Sequence, residues 1–208
     1  MQVRLYALVT AAYWALTVTD GALRMLVLLH FHDLGYSPVA LAFLFLLYEV
    51  MGVVTNLVGG WFGSRYGLRL TLFAGLGLQV VALALLSLVG AGWVEWVSVL
   101  YVMAAQGLSG IAKDLTKMSS KSAVRLVVDE DDAQQSRLFS WVAALTGSKN
   151  ALKGVGFFVG GALLGGIGFR PALLSMAAVL GVVLVAVMRS LQIDVGRSKA
   201  PRPLALTS

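Results

Sequence analysis

The chain has 208 residues, of which 59% are apolar and only 12% charged, and its mean hydropathy is +0.85. A water-soluble domain keeps about 25% charged residues because its surface faces solvent, so a soluble enzyme or binding domain is excluded. The lack of cysteine rules out a disulfide framework or a thiolate metal site. The formal charge of +6 then has to be read from its placement, since in a membrane chain excess Lys and Arg records topology more often than nucleic-acid binding.

About 20 apolar residues at 1.5 Å each cross a hydrocarbon core of roughly 30 Å, and six runs of that kind follow one another. Arg4 and the run behind it have the form of a signal peptide, but Asp20 and Arg24 interrupt the run, so residues 5–29 read as an uncleaved first span. His30-Phe31-His32-Asp33 at its outer end offers too few ligands for a specific metal site, and no metal or cofactor is expected. The turn Gly35-Tyr36-Ser37-Pro38 leads into a second span, 38–62, with Glu49 near its middle. The third span is 68–89. Gly90-Ala91-Gly92 leads into the fourth, 93–111, which holds Gln106. A polar segment, 112–137, is expected as a cytoplasmic loop. Lys113, Lys117 and Lys121 recur there every four residues, as a snorkelling, topology-setting stripe or an electrostatic funnel for an anion, and the acidic run Asp129–Asp132 reads as solvated loop. The fifth span, 138–164, carries Lys149, Asn150 and Lys153 among many glycines, of which Gly156 and Gly160 have the small-xxx-small spacing that lets helices approach closely. Gly168-Phe169-Arg170-Pro171 opens the sixth, 171–191, and 192–208 reads as a linker-like cytoplasmic tail.

The cations sort by side. Arg4, Arg65, Arg69, Lys113, Lys117, Lys121, Arg125, Arg137, Arg189, Arg197, Lys199 and Arg202 fall on one set of faces, and only Arg170 on the other. The positive-inside bias therefore places both termini in the cytoplasm of an inner-membrane protein. Three cations, Arg24, Lys149 and Lys153, lie within spans instead.

An ionisable group at the bilayer centre costs about 2.5–3.5 kcal/mol on insertion scales, so it normally faces a protein interior or a watery cavity. Asp20 and Arg24 stand four apart on one helix face and can pair. Lys149 and Lys153 also share a face but cannot neutralise each other, so they call for anions: Glu49 and Asp20, or a bound substrate. Arg24, Lys149, Asn150, Lys153 and Gln106 are the candidate substrate contacts, and Asp20 and Glu49 the candidate coupling or protonation sites. No nucleophile with an orienting base and no nucleotide loop is present, so an enzyme or an ATP-driven pump within this chain is not expected.

The end of the second span, Gly60-Trp61-Phe62-Gly63-Ser64-Arg65-Tyr66-Gly67-Leu68-Arg69, resembles the gating motif Gly-x-x-x-Asp-Arg-x-Gly-x-Arg/Lys of major-facilitator transporters. Gly60, Arg65, Gly67 and Arg69 match, and Ser64 replaces the Asp. Gly59, Gly60 and Arg69 recur at a constant offset as Gly160, Gly161 and Arg170, as expected of the inverted three-helix repeats in each six-helix half of such transporters. The fold class expected is thus an all-α membrane protein of six transmembrane helices, a 3+3 inverted repeat of major-facilitator type.

Thr19-Asp20-Gly21-Ala22-Leu23-Arg24, Tyr48-Glu49, Thr55-Asn56-Leu57, Gly110-Ile111-Ala112-Lys113-Asp114-Leu115 and Thr146-Gly147-Ser148-Lys149-Asn150-Ala151-Leu152-Lys153-Gly154 resemble the organoarsenical efflux permeases, the ArsJ family. That resemblance implies export of 1-arseno-3-phosphoglycerate, a functional link to glyceraldehyde-3-phosphate dehydrogenase, and arsenate resistance. A small pentavalent anion of this kind needs cations and no thiolate, which suits the chain. Another phosphorylated organic anion would satisfy the same cations. A complete relative carries two six-helix halves, so a second half or a homodimer is the expected partner beside the bilayer and the anionic substrate, and a truncated, non-transporting fragment is the remaining alternative. No nucleic acid is expected.

Overall fold

The computed structural model describes residues 2–90, 92–124 and 134–190, and among them the regular structure is entirely helical. Helix α1 spans Gln2–Asp33. Helices α2 (38–66) and α3 (68–86) are the two arms of Pro38–Leu86, divided at Gly67. Helices α4, α5 and α6 span Glu95–Val124, Gln134–Ile167 and Phe169–Ser190. Gly67 has φ 77° and ψ 166°, a conformation that a Cβ makes costly, so the chain turns back where glycine permits it. Ser37 caps α2 by accepting a hydrogen bond from the Ala40 N–H at 3.2 Å, and Pro38 fills the first turn, where its missing N–H costs nothing.

Two buried clusters show the helices alternating in direction. At one end the close of α1 (Leu26, Phe31), the start of α2 (Leu41, Leu44), the close of α3 (Leu83, Leu86), the start of α4 (Val102) and the start of α6 (Leu173) pack together. At the other, Val9, Ala12 and Leu16 of α1 meet Leu68 and Leu72 of α3, Ala123 of α4 and Val187 of α6. The six helices thus run alternately up and down the bundle.

Large apolar side chains also cover its outside: Leu57 is 81% exposed, Phe158 82% and Val182 70%. Five stretches, Ala7–Asp33, Pro38–Gly59, Arg65–Leu86, Thr146–Ile167 and Phe169–Ser190, are long and apolar enough to cross a membrane. Such a surface is stable against lipid rather than water: this is a multi-pass membrane protein. Within lipid the apolar effect does not drive helix against helix, and close packing and interhelical hydrogen bonds hold the bundle instead. Thr71 and Ser119 share a hydrogen bond of 2.7 Å, and Ser109 donates to Gln79 Oε1 at 2.7 Å, tying α3 to α4.

The fourth helix runs beyond the apolar stretch that announces it. It continues past Ile111 to Val124, and α5 begins at Gln134, so most of the polar segment expected as a loop is helical. Its polarity has a structural cause: Thr116, Ser119 and Ser120 are buried and return their hydroxyls to carbonyls one turn back, while Asp114 is buried beside lysines. Residues 125–133, with the acidic run Asp129–Asp132, and the tail 192–208 lie outside the described residues.

Candidate functional site

Close helix contacts set the site. On α1, Gly21 lies against α5, where a Cβ would come 2.6 Å from the Lys153 carbonyl oxygen, and Gly156 and Gly160 of α5 lie just as tightly on the backbone of Val18 and Ala22. Only hydrogen at these positions lets the two backbones touch. Gly110 of α4 lies in the same way on the backbone of Tyr48 in α2. Backbone contact brings side chains one turn away face to face, and the polar stripes of four helices converge on a cleft of about 170 Å³. Its lining includes Asp20 from α1, Glu49 and Asn56 from α2, Lys113, Asp114 and Lys117 from α4, and Lys149 and Lys153 from α5.

Tyr48 is fully buried and is not part of that lining, but from α2 it ties the charges of α1 and α4 together. Its hydroxyl donates to Asp20 Oδ1 at 2.6 Å, the Arg24 guanidinium lies 4.0 Å from its ring centroid, and Lys113 Nζ lies 4.2 Å from the same centroid. Two cations over one ring gain from its negative face. Arg24 donates to Glu49 Oε1 at 2.6 Å. The far oxygen of Asp20 is 4.0 Å from Lys153 Nζ. Lys117 stands 3.3 Å from Asp114 Oδ1 and donates to Asn56 Oδ1 at 3.4 Å, and Lys113 stands 3.9 Å from Asp114 Oδ2. Among the described residues Lys149 has no carboxylate within ion-pair distance, although it lines the same cleft.

The family model for the Major Facilitator Superfamily matches residues 6–207. The chain belongs to the major facilitator superfamily. No curated protein matches it. As a major-facilitator protein it is a membrane transporter, and the six-helix bundle is of the kind this superfamily uses.

On that fold the sequence-derived residues separate. Arg24, Lys153, Asp20 and Glu49 meet around Tyr48, and Lys149 lines the same cleft. Asp20 and Arg24 share a face but do not bridge each other: each finds a partner on an opposing helix, Arg24 in Glu49 and Asp20 in Tyr48 and Lys153. Asn150 is exposed and is not part of the cleft lining, because one residue along a helix turns a side chain about 100° from its neighbour. Gln106 also lies outside the lining. It is fully buried in α4, two turns before Lys113, and neither amide atom has a hydrogen-bond partner among the described residues. The basic stripe divides as well: Lys113 and Lys117 line the cleft, while Lys121 is exposed beyond it. In the gating motif Gly60 falls within α2, Gly67 makes the turn, Arg65 lies 5.3 Å over the Trp61 ring, and Arg69 lies 5.4 Å over Phe73.

Three groups emerge only in three dimensions. Tyr48 has no charge to draw notice in an apolar run. Asp114 and Asn56 are each four residues or fewer from another cleft residue on their own helix. That spacing was the available signal for them, once α4 is known to extend past Ile111.

Proposed function

We propose that the protein exports a small organic anion across the inner membrane by alternating access. The observation that carries the reading is convergence: Lys113, Lys117, Lys149 and Lys153 line one cleft, and Arg24 joins them through its bridge to the lining Glu49, against three carboxylates, Asp20, Glu49 and Asp114, a surplus of two positive charges. An ammonium group at that depth is costly without an anion, so a surplus of two fits a ligand that brings a doubly charged group. Resemblance to the organoarsenical efflux permeases supports 1-arseno-3-phosphoglycerate as the substrate and arsenate resistance as the outcome. The cations read charge and not arsenic, so another phosphorylated organic anion is the second reading. Glu49 and Asp20 are the groups we assign to coupling. The Glu49 side chain is 60% exposed, and a second six-helix unit, from another chain or a second copy, would cover that open side.

The test is accumulation of labelled 1-arseno-3-phosphoglycerate in everted vesicles, against empty vesicles and a Lys149→Ala variant, with 3-phosphoglycerate as the arsenic-free comparison. Uptake that Lys149→Ala abolishes while the protein stays in the membrane supports the site. Uptake that survives the substitution removes Lys149 from it, and equal uptake of 3-phosphoglycerate favours the second reading.

A further inference from the structure

A second cavity, of about 390 Å³, runs between α2, α3 and α4 towards the turn at Gly67. Met51 and Val58 of α2, Leu70 and Ala74 of α3, and Ile111 and Leu115 of α4 line it, and its walls are almost wholly apolar. The two threonine hydroxyls among them are already spent: Thr55 donates to the Met51 carbonyl at 2.7 Å, and Thr71 bonds with Ser119. A water inside would find too few partners to stay, and an empty void leaves the lining atoms without dispersion contacts. The rim is open, with Val58 and Leu70 exposed. Cleft and groove lie on different sides of α2: Glu49, Gly52 and Asn56 line the one, Met51, Thr55 and Val58 the other. A unit that covered the cleft at Glu49 would thus leave the groove facing the bilayer.

We propose that this groove seats one acyl chain of an anionic phospholipid, with the lipid phosphate held by Arg65 and Arg69. Each arginine adjoins a lining residue, Tyr66 or Leu70, so the pair stands at the turn end of the groove. Among the described residues neither has a carboxylate within ion-pair distance. Their guanidinium groups lie over Trp61 and Phe73 instead, 5.3 and 5.4 Å from the ring centroids. Such a contact uses no hydrogen bond, so the N–H forks remain available to phosphate oxygens. Trp61 and Tyr66 meet edge to face beside them, 6.4 Å between centroids, and aromatic side chains of this kind gather at headgroup level. The groove therefore has the polarity of a phospholipid, with cations and aromatics at one end and apolar walls below. From Met51 to Val58 α2 rises roughly 10 Å, against about 15 Å for the hydrocarbon of one leaflet, so a chain can lie there without leaving its own leaflet. It fills the void, and its headgroup bridges the two arms that meet at Gly67. Bound lipid then braces α2 and α3 against α4, and the melting temperature should rise with its concentration.

The test is native mass spectrometry of the purified full chain in detergent, with dioleoyl phosphatidylglycerol and dioleoyl phosphatidylcholine, which carry the same chains, added in turn. Wild type should retain one phosphatidylglycerol per chain at concentrations where phosphatidylcholine is lost. Arg65→Gln with Arg69→Gln should weaken retention of phosphatidylglycerol on the order of 30-fold, the loss expected for two cations facing an anionic headgroup, and leave phosphatidylcholine unchanged. Ala74→Phe should fill the groove and lower retention of both lipids, with a melting curve to show that it is folded. Glycerol 3-phosphate, an anion of headgroup type without chains, should not displace the lipid. Displacement by it, equal retention of the two lipids by wild type, or full retention of phosphatidylglycerol in folded Ala74→Phe overturns the proposal, because the groove or the arginines would then play no part. A chain dimer that Ala74→Phe abolishes, with no lipid adduct on wild type, assigns the groove to a second copy and overturns it as well.

Discussion

Tyr48 carries two kinds of interaction that can be separated, and their sizes differ. Its hydroxyl satisfies an oxygen of Asp20, which is 3% exposed, and its ring lies under Arg24 and Lys113. Removing one partner of a buried hydrogen bond costs about 1–3 kcal/mol, because the remaining group stays desolvated. The Arg24–Glu49 pair beside it is equally short, 2.6 Å, but open to solvent on the Glu49 side, and exposed pairs contribute only about 0–1 kcal/mol. At equal length the exposed pair is therefore the weaker stabiliser, and the more easily surrendered to a ligand. Thermal unfolding of the purified protein should show Tyr48→Phe destabilised by about 1–3 kcal/mol, and Glu49→Gln nearly unchanged. Tyr48→Leu should lose a further 0.5–2 kcal/mol or so, as the cations lose the ring. If Phe at position 48 melts like wild type while Glu49→Gln falls, Glu49 rather than Tyr48 holds the site together.

At the scale of helices, the contact of α1 on α5 decides which charges meet. Gly21, Gly156 and Gly160 let the backbones touch, and the register of that contact sets Lys153 beside Asp20. A larger side chain must push the helices apart or break the register, at about 1–3 kcal/mol for overpacking. Gly156→Leu should therefore lower the melting temperature and also weaken anion binding, although residue 156 does not line the cleft. Gly165→Leu is the control, since nothing lies within 4 Å of a Cβ there. Equal effects at both positions would mean that helix bending, not the α1 contact, is what glycine supplies. The small-xxx-small spacing of Gly156 and Gly160 made this contact legible from sequence, as the apolar runs did the six helices and intramembrane charge did most of the cleft. Partner choice was not legible. Spacing put Asp20 and Arg24 on one face, but a side chain on a packed helix turns to whichever neighbour crosses it, and the crossing is a tertiary fact. Nor was the full length of α4 legible: an apolar-run criterion stops at Ile111, while the helix continues because its polar residues are buried against α2 and α3. Asp114 was passed over for that reason, as part of an expected loop.

At the scale of the molecule, the cleft is lined by the middles of α1, α2 and α5 and by the later half of α4. Its α4 lining, Lys113 to Lys117, lies toward the end that also carries Arg65, Arg69, Lys121 and Arg189. The opposite end has Arg170, which donates to the Ser87 carbonyl at 2.7 Å. Cation-rich connections resist translocation during insertion, so the basic end should stay in the cytoplasm. Lys113 and Lys117 would then be the cleft cations nearest the cytoplasmic pool of anion, as loading for export requires, and the field of the basic end would raise its local concentration. The lack of cysteine makes the orientation simple to measure, because a single introduced thiol is unique. Leu34 and Lys121 are exposed at opposite ends of the bundle. In intact cells a membrane-impermeant maleimide should label Leu34→Cys at once and Lys121→Cys only after permeabilisation. The reverse pattern would put the basic end outside, and the same cleft would then face the external medium, a geometry that serves uptake rather than export.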